Sequence, residues 1–335
     1  AAAPWTHSST RLNSQGGDFI PPRLYRTSTN RRLLGWQGEG YWVSADDGAT
    51  WTLLNSNTLK RRINGFITAS DNSIIGYGSG VIRSTDNGLN WTVQNTGTYL
   101  SLLTNIGSNL YGVDGSTLYT SVNSGSTWTS VPISGMSAPS KLLAFNSKLY
   151  AFAFGASAFF EINPTTGAAT AFYTVPTGQI RDFQMVGNTI AVLNTSTQVY
   201  VSYNNGASWA TKSIPNFASR LWVADDQNFY AATSSPGNLF VTADGGNFWG
   251  TTSLGSANAV ASSMLFTSEG FVYLTGSNMP VKKSSDVFVA PKTPTNLVSL
   301  GKSLGGHYFM WDDNTTVTKS FEIEETINGV STVYD

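Results

Sequence analysis

Cysteine is absent from the 335 residues, which excludes disulfides, zinc thiolate sites and thiol catalysis. Charge is also scarce: 12% of residues are Asp, Glu, Lys or Arg, and the net charge is −1. No long-range field therefore draws the chain to nucleic acid or to an anionic membrane surface. No apolar run reaches the length of about 18 residues that a spanning helix requires, and a sustained 3.6-residue periodicity is missing as well. Histidine occurs twice, at His7 and His307, too sparsely for a Ser-His-Asp triad or a histidine metal site. What remains is 40% hydrophobic and 13% aromatic, with 33 glycines and many Ser, Thr and Asn. Such a chain can bury a real core, and it reads as many short strands joined by tight turns. It opens AAAPW without a methionine, which fits a mature end left by signal cleavage or a trimmed chain, and export is the expectation.

One octet repeats. SADDGATW (44–51) returns as STDNGLNW (84–91), SVNSGSTW (121–128), SYNNGASW (202–209) and TADGGNFW (242–249). Aligned on Asp46, Asp86, Asn123, Asn204 and Asp244, the copies are spaced 40, 37, 81 and 40, and the long interval is a doubled one. A decayed copy at EINPTTGAATAF supplies Asn163 and Gly167 without the tryptophan, and VKKSSDVF carries Ser284 and Asp286 in register with Phe288 at the glycine position. That makes seven units. A period near 40 with four short apolar strands per unit is the signature of a propeller blade. The N-terminal PWTHSS resembles the outer strands WTLLN and WTVQN, so Trp5 to Ser9 is expected to complete the seventh unit and leave no open sheet edge.

The pattern S/T-x-D-x-G-x-x-W is similar to the Asp-box, or BNR repeat, of sialidases, sortilin-type receptors, xyloglucanases, a photosystem assembly factor and many secreted bacterial propellers. It covers about residues 4 to 290. The resemblance implies an all-β, seven-bladed propeller. It also places the boxes on the turn between third and outer strands, away from the usual ligand face. The residue chemistry points the same way. Ser44, Asp46, Gly48 and Trp51, with Ser84, Asp86, Gly88 and Trp91, Asn123 and Trp128, Asn204 and Trp209, and Asp244 and Trp249, read as structural: an acid accepting backbone N–H groups, a glycine supplying positive φ, and an indole packed on a neighbouring strand. A calcium loop needs more oxygen ligands than two asparagine-bearing copies offer, so no metal and no cofactor are expected.

The ligand face should be built by loops from each outer strand to the next inner strand and by loops joining second to third strands. Arg62, Lys141, Arg181 and Arg220 fall near the starts of inner strands, with Arg23 a fifth, and could bind a carboxylate or sulfate. Trp36, Tyr77, Tyr99, Phe154 and Phe217 lie in or beside the same loops as candidate recognition surfaces. For catalysis, a glycosidase needs two facing carboxyl groups. Glu39, Asp114 and Asp182 are the acids placed for this, while those in turns such as ASDNS and ADDQN are explained by the turn. The sialidase Phe/Tyr-Arg-Ile-Pro motif is absent, the nearest string DFIPPRLYR (18–26) having the wrong order.

From Pro291 the character changes. PTNLVSL, HYFMWDD, SFEIEE and VSTVY, the last two joined through an Asn328-Gly329 hairpin, resemble the opening of a fibronectin type III domain. The expectation is a propeller over 1–290 and part of a β-sandwich over 291–335. The leading functional reading is a secreted or cell-surface, non-catalytic propeller that binds a glycan or protein, with the C-terminal region leading toward a larger surface or secretion assembly. A glycoside hydrolase using Glu39, Asp114 and Asp182 is the alternative, and a docking component of a secretion or assembly complex is a third reading.

Overall fold

The computed structural model describes residues 5–7, 23–27, 32–35, 41–46, 50, 52–54, 62–233, 237–254, 259–266, 272–277, 282–284, 295–303, 306–312, 323–327 and 330–334. All regular structure among them is strand. A first strand, β1 (Trp5–His7), precedes a sheet of β2 (Arg23–Arg26), β3 (Arg32–Gly35), β4 (Tyr41–Ser44) and β5 (Thr52–Leu54). The second sheet has β6 (Ile63–Thr68), β7 (Ile74–Ser84) and β8 (Thr92–Tyr99). The third has β9 (Leu102–Ile106), β10 (Asn109–Asp114), β11 (Thr117–Ser121) and β12 (Thr129–Pro132). The fourth has β13 (Lys141–Phe145), β14 (Lys148–Phe152), β15 (Ala158–Ile162) and β16 (Ala169–Thr174). β17 (Ile180–Val186), β18 (Thr189–Asn194), β19 (Gln198–Ser202) and β20 (Ala210–Ser213) form the fifth. β21 (Arg220–Val223), β22 (Phe229–Ala232), β23 (Asn238–Thr242) and β24 (Gly250–Ser253) form the sixth. The last joins β25 (Val260–Phe266), β26 (Val272–Ser277) and β27 (Lys282–Ser284) to β1, with Trp5 opposite Ser284 and His7 opposite Lys282.

Every sheet is an antiparallel meander, so its connections alternate between two ends. At one end, here the lower, first strands turn into second strands and third into outer strands. At the upper end, second strands pass to third strands and outer strands leave for the next sheet. The first strands form a closed ring: β2 packs on β6, β6 on β9, β9 on β13, β13 on β17, β17 on β21, β21 on β25, and β25 on β2.

The core lies between sheets, because inner strands are covered on both faces. β18 and β22 are buried along their whole length, whereas β12, β20 and β24 are mostly exposed. Phe159, Phe183, Phe229, Tyr230 and Tyr273 are among the largest fully buried side chains. One expected division is absent. Where four strands per unit would divide IIGYGS (74–79) from GVIRSTD (80–86), the chain runs as the single 11-residue β7: Ile74–Gly78 pairs with β6 and Ser79–Arg83 with β8, the register shifting after Ser79. That corner of the second sheet therefore has no upper loop.

Beyond the last of these sheets, β28 (Thr295–Ser303) pairs with β29 (Gly306–Asp312), and β30 (Ile323–Ile327) pairs with β31 (Val330–Tyr334).

Candidate functional site

The repeated octets form one turn, and the copies at 84–91, 121–128, 202–209 and 242–249 share its bonds. In the second, Ser84 Oγ donates to Asp86 Oδ1 (2.8 Å), which also accepts Asn90 N (2.8 Å), while Ser84 Oγ accepts Gly88 N (2.8 Å) and Trp91 Nε1 donates to Gly88 O (3.2 Å). Copies with asparagine keep this pattern: Asn123 Oδ1 accepts Thr127 N (2.9 Å) and Asn204 Oδ1 accepts Ser208 N (2.9 Å). The second bond only reverses direction. Asp86 Oδ2 accepts the Asn90 amide, whereas Asn123 Nδ2 donates to Thr127 Oγ1 (2.8 Å). The turn needs an oxygen at this position and not a charge. In the first copy Asp46 accepts the N–H and hydroxyl of Thr50 and the hydroxyl of Ser44. The Thr50 hydroxyl and N–H hold its carboxyl down at about 2. Gly48 and Trp51 lie outside the described residues. Trp91, Trp128, Trp209 and Trp249 each pack against core residues shared between two adjacent sheets.

The decayed copy at residue 163 keeps the turn by other means. Asn163 Oδ1 accepts Thr165 N (2.9 Å) and Thr166 N (3.1 Å), and Gly167 takes a positive φ of 72°. Without a tryptophan, the turn is tied to the preceding sheet through its backbone: Ser134 N donates to Gly167 O (3.1 Å) and Ala169 N to Ser134 O (2.8 Å).

Of the cations and aromatics proposed for recognition, Arg62, Tyr99, Phe154, Arg181, Phe217 and Arg220 lie at the upper end. Arg181, at the start of β17, lies over two rings: its Cζ is 5.0 Å from the centroid of Phe217 and 5.6 Å from that of Phe154. Phe154 lies between β14 and β15 and is 73% exposed; Phe217 lies between β20 and β21 and is half-buried. The fourth sheet, the fifth sheet and the connection from fifth to sixth thus supply one cluster. Among the described residues the buried Arg181 Nε has no hydrogen-bond partner. Nearer the start of the ring, exposed Arg62 lies over Tyr99 (5.9 Å), whose hydroxyl accepts Asn64 Nδ2 (3.2 Å). Arg220 is exposed and donates to the Ser219 carbonyl (3.1 Å).

Other candidates serve the frame. Tyr77, expected on the ligand face, is 5% exposed and sits in the core, because the fused β7 carries it through the sheet interior. Lys141 Nζ donates to Asp182 Oδ1 (2.5 Å), which also accepts Phe183 N (2.9 Å), while Asp182 Oδ2 accepts Leu221 N (3.0 Å). Asp182 is 5% exposed and links the fourth, fifth and sixth sheets, so neither oxygen faces a cleft. The register shift at Arg181, between Ile180 and Asp182, turns this carboxyl inward. Asp114 ends β10, paired with Thr117. Glu39 and Trp36 lie outside the described residues. The turn acids are held as turns: Asp71 accepts Ser73 N (3.0 Å) and pairs with Arg83 (2.5 Å), and Asp225 accepts Gln227 N (2.9 Å) and Asn228 N (2.8 Å). Among the described residues no group of three His, Asp or Glu could hold a metal ion. A polar set not singled out in the sequence, Thr177, Gln198 and Tyr200, shares hydrogen bonds at the upper end of the fifth sheet. No motif marks it, since only strand pairing brings it together.

No family model matches the chain, and no curated protein is similar to it in sequence. Solved structures are similar in fold. YCF48 from Cyanidioschyzon merolae has a TM-score of 0.67 at 17% identity, over 84% of this chain and 98% of its own. YCF48 bound to D1 peptide gives 0.63 at 15%, over 80% and 97%. Virginiamycin B lyase from Staphylococcus aureus gives 0.65 at 12%, over 81% and 97%. The extracellular domain of a one-component system from B. thetaiotaomicron gives 0.63 at 14%, over 89% of this chain and 45% of that one. These likenesses carry the fold, a β-propeller, and no activity.

Proposed function

We propose that the chain is a seven-bladed propeller of the Asp-box type whose upper end binds a partner without chemical turnover. The observation that carries this reading is the cluster of Arg181 with Phe154 and Phe217, a cation and two aromatics brought together at one end from the fourth sheet, the fifth sheet and the connection to the sixth. Phenylalanine and arginine are enriched at interfaces, and arginine is among the residues that carry most of the binding energy there. The acid at the same end, Asp182, is spent on the frame, which counts against a hydrolase. A protein ligand is the first choice, because YCF48, of the same fold, is solved with a bound peptide; a glycan is the second. The propeller spans 1–290, and 291–335 begins a fibronectin type III-like module leading toward a larger assembly. Export to the cell surface or beyond agrees with the extracellular domain among the fold relatives, and among the described residues no helix is long and apolar enough to cross a membrane.

The test compares two variants that keep the wild-type melting profile. Phe154→Ala/Arg181→Gln/Phe217→Ala removes the upper cluster, and Val122→Ser/Phe248→Ser alters exposed apolar residues of the box turns, Phe248 being 81% exposed. Capture of ligands from a glycan array and from native envelope extract should be lost in the first variant and kept in the second. The reverse pattern, or glycan hydrolysis by the wild type, overturns the reading.

A further inference from the structure

Resting on that reading, we propose that Arg181 recognises a carboxylate carried by a protein segment in which the acid adjoins an apolar residue. The three cations of this region differ in what they have left to offer. Lys141 is committed to Asp182 at 2.5 Å, and Arg220 is exposed, so its donors meet water. Arg181 is half-buried, lies against two phenyl rings, pairs with no carboxylate among the described residues, and keeps a buried Nε without an acceptor. A cation partly removed from water and not neutralised attracts an anion more strongly than a hydrated one does.

Its surroundings narrow the anion. The guanidinium carbon lies over both rings, at 5.0 and 5.6 Å from their centroids, and the planar fork of an arginine matches the two oxygens of a carboxylate. Phe154, 73% exposed, then offers apolar surface beside the bound acid. A sugar would need several directional partners for its hydroxyls. The acid beside Arg181 cannot serve, since Asp182 points inward to Lys141, Phe183 and Leu221. An acidic residue or a chain end next to an aliphatic or aromatic side chain satisfies both halves of the site.

The experiment titrates the full chain, followed by NMR, with acetyl-Asp-Phe-amide against acetyl-Asn-Phe-amide, and with acetyl-Gly-Phe against its amide. Sulfate and a trigalacturonic acid are run in parallel. At least one carboxylate peptide should bind about tenfold more tightly than its amide partner, and the two pairs tell a side-chain acid from a chain end. Arg181→Lys should weaken that binding about tenfold while keeping the charge, and Phe154→Ala, at an exposed position, should weaken it comparably. Equal binding of acid and amide, an unchanged affinity in Arg181→Lys, or competition by sulfate at equal concentration overturns the assignment. Tighter binding of trigalacturonic acid than of either peptide replaces the protein ligand with an acidic glycan. If the peptides fail while the triple variant still loses its partner, only the carboxylate assignment falls; if the triple variant keeps its partner, the upper end is not the binding end.

Discussion

At the scale of the residue, each box turn hangs on one side-chain oxygen, and whether that oxygen is charged decides how the turn answers acid. The carboxyls of Asp46, Asp71 and Asp86 all titrate below their usual value. Hydrogen bonds from Thr50 act on Asp46 and from Ser73 on Asp71; Asp86 is pulled down by Asn90 and Ser84 against the opposing effect of burial. A depressed carboxyl stabilises the fold above its unfolded value of 3.8, and the contribution is lost as pH falls through the folded value, about 2 for Asp46. Urea midpoints should therefore drop between about pH 4 and pH 2. Asp46→Asn/Asp86→Asn should flatten that limb while costing little at pH 7, because Asn123 and Asn204 already build the same turn uncharged. An acid limb as steep as in the wild type would contradict this. Such turns are legible in the sequence because all their partners lie within a few residues. Arg181, Phe154 and Phe217 could each be named from their loops, but their meeting depends on the ring, and Asp182 looked available because a register shift leaves no local mark.

At the scale of the element, the instructive unit is the one whose motif has decayed. A Cβ at Gly167 would stand 2.1 Å from Pro132 O, and the residue already has a φ of 72°. Gly107 shares a positive φ of 56°, yet a Cβ there meets nothing within 4 Å. Gly107→Ala should cost ~1 kcal/mol from backbone conformation alone, and Gly167→Ala at least about 2 kcal/mol more, because backbone must move. Equal urea midpoints for the two variants would mean that the contact between the third and fourth sheets is dispensable. Strand positions follow from alternation and turn residues, so most units were readable. The fused β7 was not, since Gly78, Ser79 and Gly80 look like a loop in sequence and act as a bend between two pairings.

At the scale of the whole molecule, the ring is closed by the shortest of strands. β1 and β27 meet through three residue pairs, yet that pairing covers the edge of β27 and gives the last sheet its fourth strand. Deleting residues 1–9 should raise hydrogen-exchange rates first in β25, β26 and β27 and only later in β18 and β22, which are buried along their whole length. Uniform loss of protection across all sheets would show instead that the ring melts as one unit. The same pairing sets an order of events during synthesis. The segment of β1 leaves the ribosome ahead of every other strand described, and its partner β27 is made roughly 15 s to a minute later at ~5–20 residues per second. For that interval the nascent chain carries β1 as an unmatched strand, and it must keep that strand from neighbouring chains until Lys282 to Ser284 emerge to receive it.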